Sequence, residues 1–199
     1  MSDLPQLKRT DKLMSAAETT GLLTQAYAGR LATVGANGYP YIVPLLFVWL
    51  DGEIWVHNTR VRGHLRDNVD RDQRVCFEAD EPGPIFPYGS TECDTSIAYR
   101  SVVAYGTIRI VEDREQKQRF FAALLDKYRD PKWDRPRYSF PRIDQVTVYA
   151  IAIREMTGKQ TPLPPPEAQW PATERAQSSD ARTTAGGDAK AGARRRETD

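Results

Sequence analysis

Both histidines of the chain fall within the run His57-Asn58-Thr59-Arg60-Val61-Arg62-Gly63-His64-Leu65-Arg66. Arginines, imidazoles, the Thr59 hydroxyl and the Asn58 amide gather there beside Gly63, which can open a helix. A phosphate takes this set: forked guanidinium donors, a hydroxyl, and backbone N–H groups at a helix N-terminus. Spacing alone is equally compatible with a solvated basic loop. A flat heteroaromatic ring attached to such a phosphate needs backbone donors and acceptors along a strand edge, with apolar faces beside it. Val43-Pro44-Leu45 offers this. Pro44 withdraws one ladder donor and marks an edge, a bulge or a place where pairing gives way to a ligand. An edge strand blunted against aggregation is the competing reading.

Other chemistries have weaker support. His57, His64, Cys76 and Cys93 lack zinc-like spacing, so no metal site is expected. Cys76, in Arg-Val-Cys-Phe-Glu, reads as a small buried hydrophobe in mid-strand. Cys93 sits in the polar run Thr-Glu-Cys-Asp-Thr with no identifiable base beside it.

The elements that must position these residues are mostly strands. Ser15-Ala16-Ala17-Glu18 is a capping-box pattern and predicts a helix to about Ala28. Strands follow over Arg30 to Val34 and, after the turn residues Gly35 to Gly38, over one long run from Tyr39 to Leu50. Ile54 to His57 is the next strand, with His57 on the face of Trp55 and last before the loop. A short helix from near Gly63 to Arg71 precedes a strand over Arg74 to Ala79. Glu81 to Gly89, rich in Pro and Gly, reads as a long irregular loop. Ser96 to Val111 is a long strand. Glu112 to Tyr128 is an amphipathic helix with Phe120, Leu124 and Tyr128 on one stripe, and Gln145 to Arg154 is the last strand. Consecutive antiparallel strands with few crossover helices predict a barrel rather than a Rossmann sheet.

Composition sets the boundaries. The chain of 199 residues fits one domain: an extension over 1–14, the domain over 15–159, and from 160 a Pro-rich, then disordered tail too poor in large apolar residues to fold. Lys plus Arg number 28 against 27 Asp plus Glu, so no global field attracts nucleic acid. The run Arg194-Arg195-Arg196 reads as a solvated part of the tail. Met1 to Arg9 carries no apolar signal segment, and Ile42 to Leu50 is too short to span a bilayer, so no membrane partner is expected. Two cysteines without CxxC spacing suit a reducing cytoplasm, and a cytoplasmic location is expected.

One ordered set of segments carries a resemblance. Gly29-Arg-Leu-Ala-Thr-Val, Gly38-Tyr-Pro-Tyr-Ile-Val-Pro-Leu, Ile54-Trp-Val-His, Arg74-Val-Cys-Phe-Glu and Ala98-Tyr-Arg-Ser-Val-Val-Ala-Tyr-Gly together resemble the pyridoxamine 5'-phosphate oxidase-like superfamily. Within it they are most similar to the nitroimidazole-resistance type of flavin-nucleotide-binding protein, over about Ser15 to Lys159. The resemblance implies a mainly β fold with flanking helices, a six-stranded antiparallel split β-barrel, and a homodimer with FMN at the subunit interface. It implies that Thr59, Arg60, Arg62, Gly63 and His64 hold the phosphate, and that the ring edge lies along Val43, Pro44 and Leu45 near His57 and Asn58. Tyr99 and Ser101 match positions that approach the cofactor, often from the other subunit, and His57 matches the reactive histidine of the group. Many relatives follow the glycine with two basic residues, whereas this chain has Gly63-His64-Leu65. The residues expected of a true pyridoxamine phosphate oxidase are absent, which argues against vitamin B6 synthesis. The implied activity is FMN-dependent reduction of a small organic acceptor, nitroaromatic compounds included, with electrons from NADH or NADPH. A non-catalytic flavin- or haem-binding module and an F420-dependent reductase remain the alternatives.

Overall fold

Ser15 opens the first helix as its sequence demands. Its hydroxyl accepts from the Glu18 N–H at 3.2 Å, while the Glu18 carboxylate accepts from the Ser15 N–H at 2.7 Å. The structure is a computed structural model that describes residues 8–134 and 136–169. After helix α1 (Ala16–Gln25) come β1 (Gly29–Val34), β2 (Pro40–Leu45), β3 (Phe47–Leu50) and β4 (Glu53–Thr59). Helix α2 (His64–Arg71) leads to β5 (Arg74–Pro87) and β6 (Thr95–Val111), and α3 (Arg114–Tyr128) to the last strand, β7 (Val146–Thr161). None of the described helices is long and apolar enough to cross a membrane. Residues 1–7 and the charged tail from residue 170 lie outside the described residues.

The described residues divide into two units, 8–83 with 99–162 and 84–98 with 163–169. In the second, the Tyr88 N–H donates to the Asp94 carbonyl at 2.8 Å, and the Asp94 carboxylate accepts from the Thr91 hydroxyl at 2.8 Å.

The strands form one sheet in the order β2-β1-β5-β6-β7-β4-β3, in which β1 pairs antiparallel with β2 and β5, β4 with β3 and β7, and β6 with β7. The mainly β, split-barrel reading holds with seven strands in place of six. The extra strand arises because the Tyr39 to Leu50 run breaks at Leu46. Pro40–Leu45 pairs with β1 at one end of the sheet order, and Phe47–Leu50 pairs with β4 at the other. One residue separates these two edge strands in sequence, so the sheet must curl until its edges converge. Among the described residues the ladder does not close.

Other boundaries shift for physical reasons. The first helix stops at Gln25 rather than Ala28. Strand β4 continues past His57 because Val146–Val148 of β7 pair with Thr59–His57. The Pro-rich segment is not a loop from Glu81 onward, since β5 runs to Pro87. Pro82 and Pro84 stand two apart, so their missing N–H groups fall on the same edge of the strand, and Pro87 is its last residue. Strand β7 runs on to Thr161 rather than ending at Arg154, pairing with Tyr99–Tyr105 of β6 after an irregularity at Tyr105/Gly106.

Two apolar clusters flank the sheet. The inner one holds Leu31, Phe47, Ile54, Val56, Phe77, Ile108, Tyr149 and Ile151, and α1 contributes Leu22 and Leu23 while α2 contributes Leu65 and Val69. The outer one packs Val48, Trp55, Val148 and Ala150 against Phe120 and Leu124 of α3. At the strand break, the Tyr128 hydroxyl accepts from the Phe47 N–H at 3.2 Å and donates to the Phe47 carbonyl at 3.0 Å. Replacing Tyr128→Phe leaves both backbone groups without this partner. The variant is expected to lose about 1–2 kcal/mol of stability, read as a lowered urea midpoint with an unchanged slope.

Candidate functional site

Helix α2 organises the region because its three sides meet different neighbours. Leu65 and Val69 enter the inner core. His64 and Asn68, one turn apart, face β1 and β2: the His64 ring lies 5.4 Å from the Tyr41 ring, and the buried Asn68 amide donates to the Thr33 hydroxyl at 2.9 Å. On the third side Arg66 donates to Asp70 at 3.0 Å, and Asp70 also accepts from Arg62 at 2.8 Å. Arg62 further donates to Asp67 at 2.8 Å. The hydrogen bonds that Arg62 donates to Asp67 and Asp70 raise its pKa. Partial desolvation pushes the Asp70 carboxyl up, yet the bonds from Arg62 and Arg66 hold it below its ordinary value.

Gly63 stands at the N-cap of α2 and brings no capping side chain. A Cβ at Gly63 would meet open space, so packing does not demand the glycine. The N-terminus of α2 therefore keeps first-turn N–H groups without a side-chain cap, beside His64.

Strand β2 is terminal in the sheet order. Tyr41, Val43 and Leu45 pack on the inner core, while Ile42 and Pro44 are exposed. The side chains of Val43 and Leu45 are thus committed to the barrel, and only backbone and the Pro44 ring remain for a ligand. On β4 the alternation separates two expected neighbours. The His57 ring turns to the outer cluster, 5.6 Å from Phe120 and 5.3 Å from Phe121, with Nδ1 buried and without a hydrogen-bond partner. Burial lowers its pKa from 6.5. Asn58 faces the other way, opposite Thr147, and its Oδ1 is likewise buried without a partner.

Arg60 turns to the start of β7: its N–H donates to the Gln145 carbonyl at 3.1 Å and its guanidinium to the Asp144 carbonyl at 3.2 Å. Arg60, Arg62 and Arg66 line a cavity of about 440 Å³ together with Lys117, Glu112, Asp144 and Thr147. Thr59 ends β4, exposed and paired with Val146. Tyr99 and Ser101 lie elsewhere in the same unit. They flank Arg100, which is ion-paired with Glu81, two residues beyond the Ala79 that pairs with Gly29. His64 meets Tyr41 opposite Thr33, four residues along β1 from Gly29 and so about 13 Å away along the strand. The structure therefore gathers β2, His64 and the α2 N-terminus, places Arg60 and Arg62 on a neighbouring cavity, and leaves His57, Tyr99 and Ser101 outside both groups.

Lys117, Thr147 and Tyr149 carry no local motif. Lys117 still had a signal, because it extends the Phe120, Leu124, Tyr128 stripe one step toward the N-terminus and is buried with it.

The pyridoxamine 5'-phosphate oxidase family model matches residues 15–160. Comparison with curated protein sequences gives no match. Among solved structures, the chain is similar to a candidate 5-nitroimidazole antibiotic resistance protein from Bacteroides thetaiotaomicron, at 23% identity over 75% of this chain and 86% of that one, with a TM-score of 0.63. A conserved hypothetical protein from Mycobacterium tuberculosis is 26% identical over 78% of this chain and 90% of that one, TM-score 0.61. A flavocytochrome from Azotobacter vinelandii is 21% identical over 83% and 78%, TM-score 0.67. With the family match spanning most of its length, the chain belongs to the pyridoxamine 5'-phosphate oxidase family.

Proposed function

We propose that the chain binds FMN and uses it to carry electrons from NADH or NADPH to a small organic acceptor, with nitroaromatic compounds the first to test. One observation carries the reading: a terminal strand with exposed Ile42 and Pro44 runs beside the uncapped N-terminus of α2, and His64 joins them through Tyr41. The similar fold of a flavocytochrome supports it.

The residues fit such a group. An edge strand presents backbone N–H and C=O groups to ring heteroatoms, which Val43, Pro44 and Leu45 would supply. A helix N-terminus favours an anion, so the N–H groups after Gly63 would hold the phosphate with His64, Thr59 and, from the flank, Arg60 and Arg62. A bound flavin supplies hydride and electron transfer, and the protein supplies orientation and electrostatics. Haem and F420 are the competing ligands. The absorption spectrum of the purified protein separates them, with two flavin bands expected. A Soret band, or a colourless protein indifferent to added FMN, would sink the FMN reading. The double variant Arg60→Ala with Arg62→Ala should weaken FMN binding about 10- to 100-fold, the loss of charge-assisted hydrogen bonds worth about 1.5–3 kcal/mol. Anaerobic NADH or NADPH should bleach the bound flavin; no bleaching with either removes the reductase claim and leaves the binding claim.

A homodimer completes this proposal. The outward sides of β2, β1 and β5 align Ile42 with Ala32 and Cys76, and Val34 with Pro40, with Ile42 61% exposed. Burying this apolar strip against a second copy is favourable, and the second copy could bring Tyr99 and Ser101 to the cofactor. Ile42→Glu should convert a dimer to a monomer in sedimentation analysis; an unchanged dimer moves the interface elsewhere.

His57 enters the proposal as a neutral imidazole. Burial disfavours its charged form, so its folded pKa lies below 6.5, and at neutral pH it accepts a proton more readily than it donates one. The linked stability is complete above pH 6.5 and is lost as pH falls through the lowered folded value. The urea midpoint of the wild type should therefore fall between pH 7 and pH 5, and His57→Leu should flatten that part of the profile. An equally steep profile in the variant would assign the acid sensitivity to another group.

A further inference from the structure

We propose that the cavity between the last turn of α3 and the loop that follows it binds a small aromatic monocarboxylate. This cavity has a volume of about 250 Å³ and is lined by Leu125, Asp126, Arg129, Pro131, Arg137 and Tyr138. It shares no residue with the arginine-lined cavity at the end of β4, and none of its residues takes part in the cofactor proposal.

The walls are fixed from α3. Leu125 and Asp126 lie four and three residues before Arg129, so the three side chains are neighbours at the helix end. Arg129 donates to the Trp133 carbonyl at 2.6 Å, the Trp133 N–H donates to the Asp130 carbonyl at 3.0 Å, and the Lys132 N–H donates to the Asp130 carboxylate at 2.9 Å. That turn holds Pro131. On the far side the Tyr138 hydroxyl donates to the Asp126 carboxylate at 3.1 Å. The Tyr138 backbone has a φ of 55°, a left-handed conformation that costs an aromatic residue free energy. A glycine would be relaxed there, whereas the tyrosine reaches Asp126 and walls the cavity. Strain of this kind gathers at ligand sites.

Charge and shape define the ligand class. Arg129 stands at the C-cap of α3, where the helix dipole favours a cation, and Asp126 lies in the same last turn. Arg129 is therefore matched within the protein. Arg137 is exposed and, among the described residues, makes no hydrogen bond or ion pair. One unmatched guanidinium calls for one negative charge, and its planar fork suits a carboxylate. The negative helix end disfavours a doubly charged anion. Leu125, Pro131 and the Tyr138 ring supply apolar surface on which a flat ring packs. The volume lies below the range of about 300–1,000 Å³ typical of ligand pockets, which limits the ligand to a single ring.

The test titrates benzoate, uncharged benzamide and ringless acetate into the full chain by calorimetry, with and without FMN. Saturable binding of one benzoate per chain is expected, about tenfold or more tighter than either analogue and independent of FMN. Arg137→Gln should weaken benzoate about tenfold with flavin content unchanged, and a substitution at so exposed a side chain leaves the fold intact. Tyr138→Gly suits the backbone, removes the ring wall and should weaken benzoate as well. Arg119→Gln breaks the exposed pair with Asp51 elsewhere on α3 and should leave benzoate binding unchanged. No saturable binding by the wild type overturns the proposal, as does undiminished binding by Arg137→Gln. An equal loss in Arg119→Gln overturns it too, because the effect is then one of general charge. Acetate bound as tightly as benzoate overturns the aromatic assignment. Competition between benzoate and FMN places the ring at the cofactor and overturns the separate site. Benzoate binding by a chain that takes no flavin supports the site and defeats only the flavin reading.

Discussion

The Tyr128 hydroxyl satisfies both backbone groups of Phe47 at the point where the chain passes from one edge of the sheet to the other. Edge backbone left bare in an apolar environment is costly, so a strand break inside a hydrophobic run needs such a partner. The break also needs room. Gly29 pairs with Leu45, the last residue before Leu46, and an added Cβ there would stand 2.0 Å from the Phe77 ring. Phe77 in turn packs on Phe47, with ring centroids 4.9 Å apart. The Lys127 ammonium lies 3.9 Å from the Phe47 ring centroid and donates to the Leu23 carbonyl at 3.2 Å, tying α3 and α1 to the same point. The terminal position of β2, on which the cofactor proposal rests, follows from this one crossing.

Beyond the crossing, period-two alternation on β4 distributes the chemistry. Trp55 and His57 belong to the face covered by α3, whereas Val56 and Asn58 belong to the barrel interior. A histidine under Phe120 and Phe121 is held neutral by its surroundings, and an asparagine beside Tyr149 brings a polar group to the barrel end. Adjacent residues of one motif therefore work in different environments.

Much of this was legible in local sequence. The Ser15 and Glu18 box, the stripe of α3 and the hairpin of β1 with β2 each follow from short-range chemistry, and the face that His57 shares with Trp55 follows from strand alternation. The break at Leu46 is not legible, because no glycine or proline interrupts Leu45-Leu46-Phe47 and the side chain that bonds its backbone, Tyr128, lies 81 residues from Phe47. The Pro-rich stretch misled for the opposite reason: proline density suggests a loop until its alternate spacing is matched to the edges of a strand. Cavity residues drawn from β4, α2, α3 and β7 share no spacing that a linear motif could report.

Helix α2 decides how these parts function together. Its core side anchors it through Leu65 and Val69, so neither flank can shift without disturbing the barrel. The His64 and Asn68 flank fixes the helix N-terminus against β1 and β2, and the Arg66 and Asp70 flank borders the cavity. An anion at the N-terminus of α2 would meet its first-turn N–H groups, whereas the arginines of the other flank already meet Asp67 and Asp70. Because Asp70 accepts from both Arg62 and Arg66, the two guanidinium groups are tied to the last turn of α2.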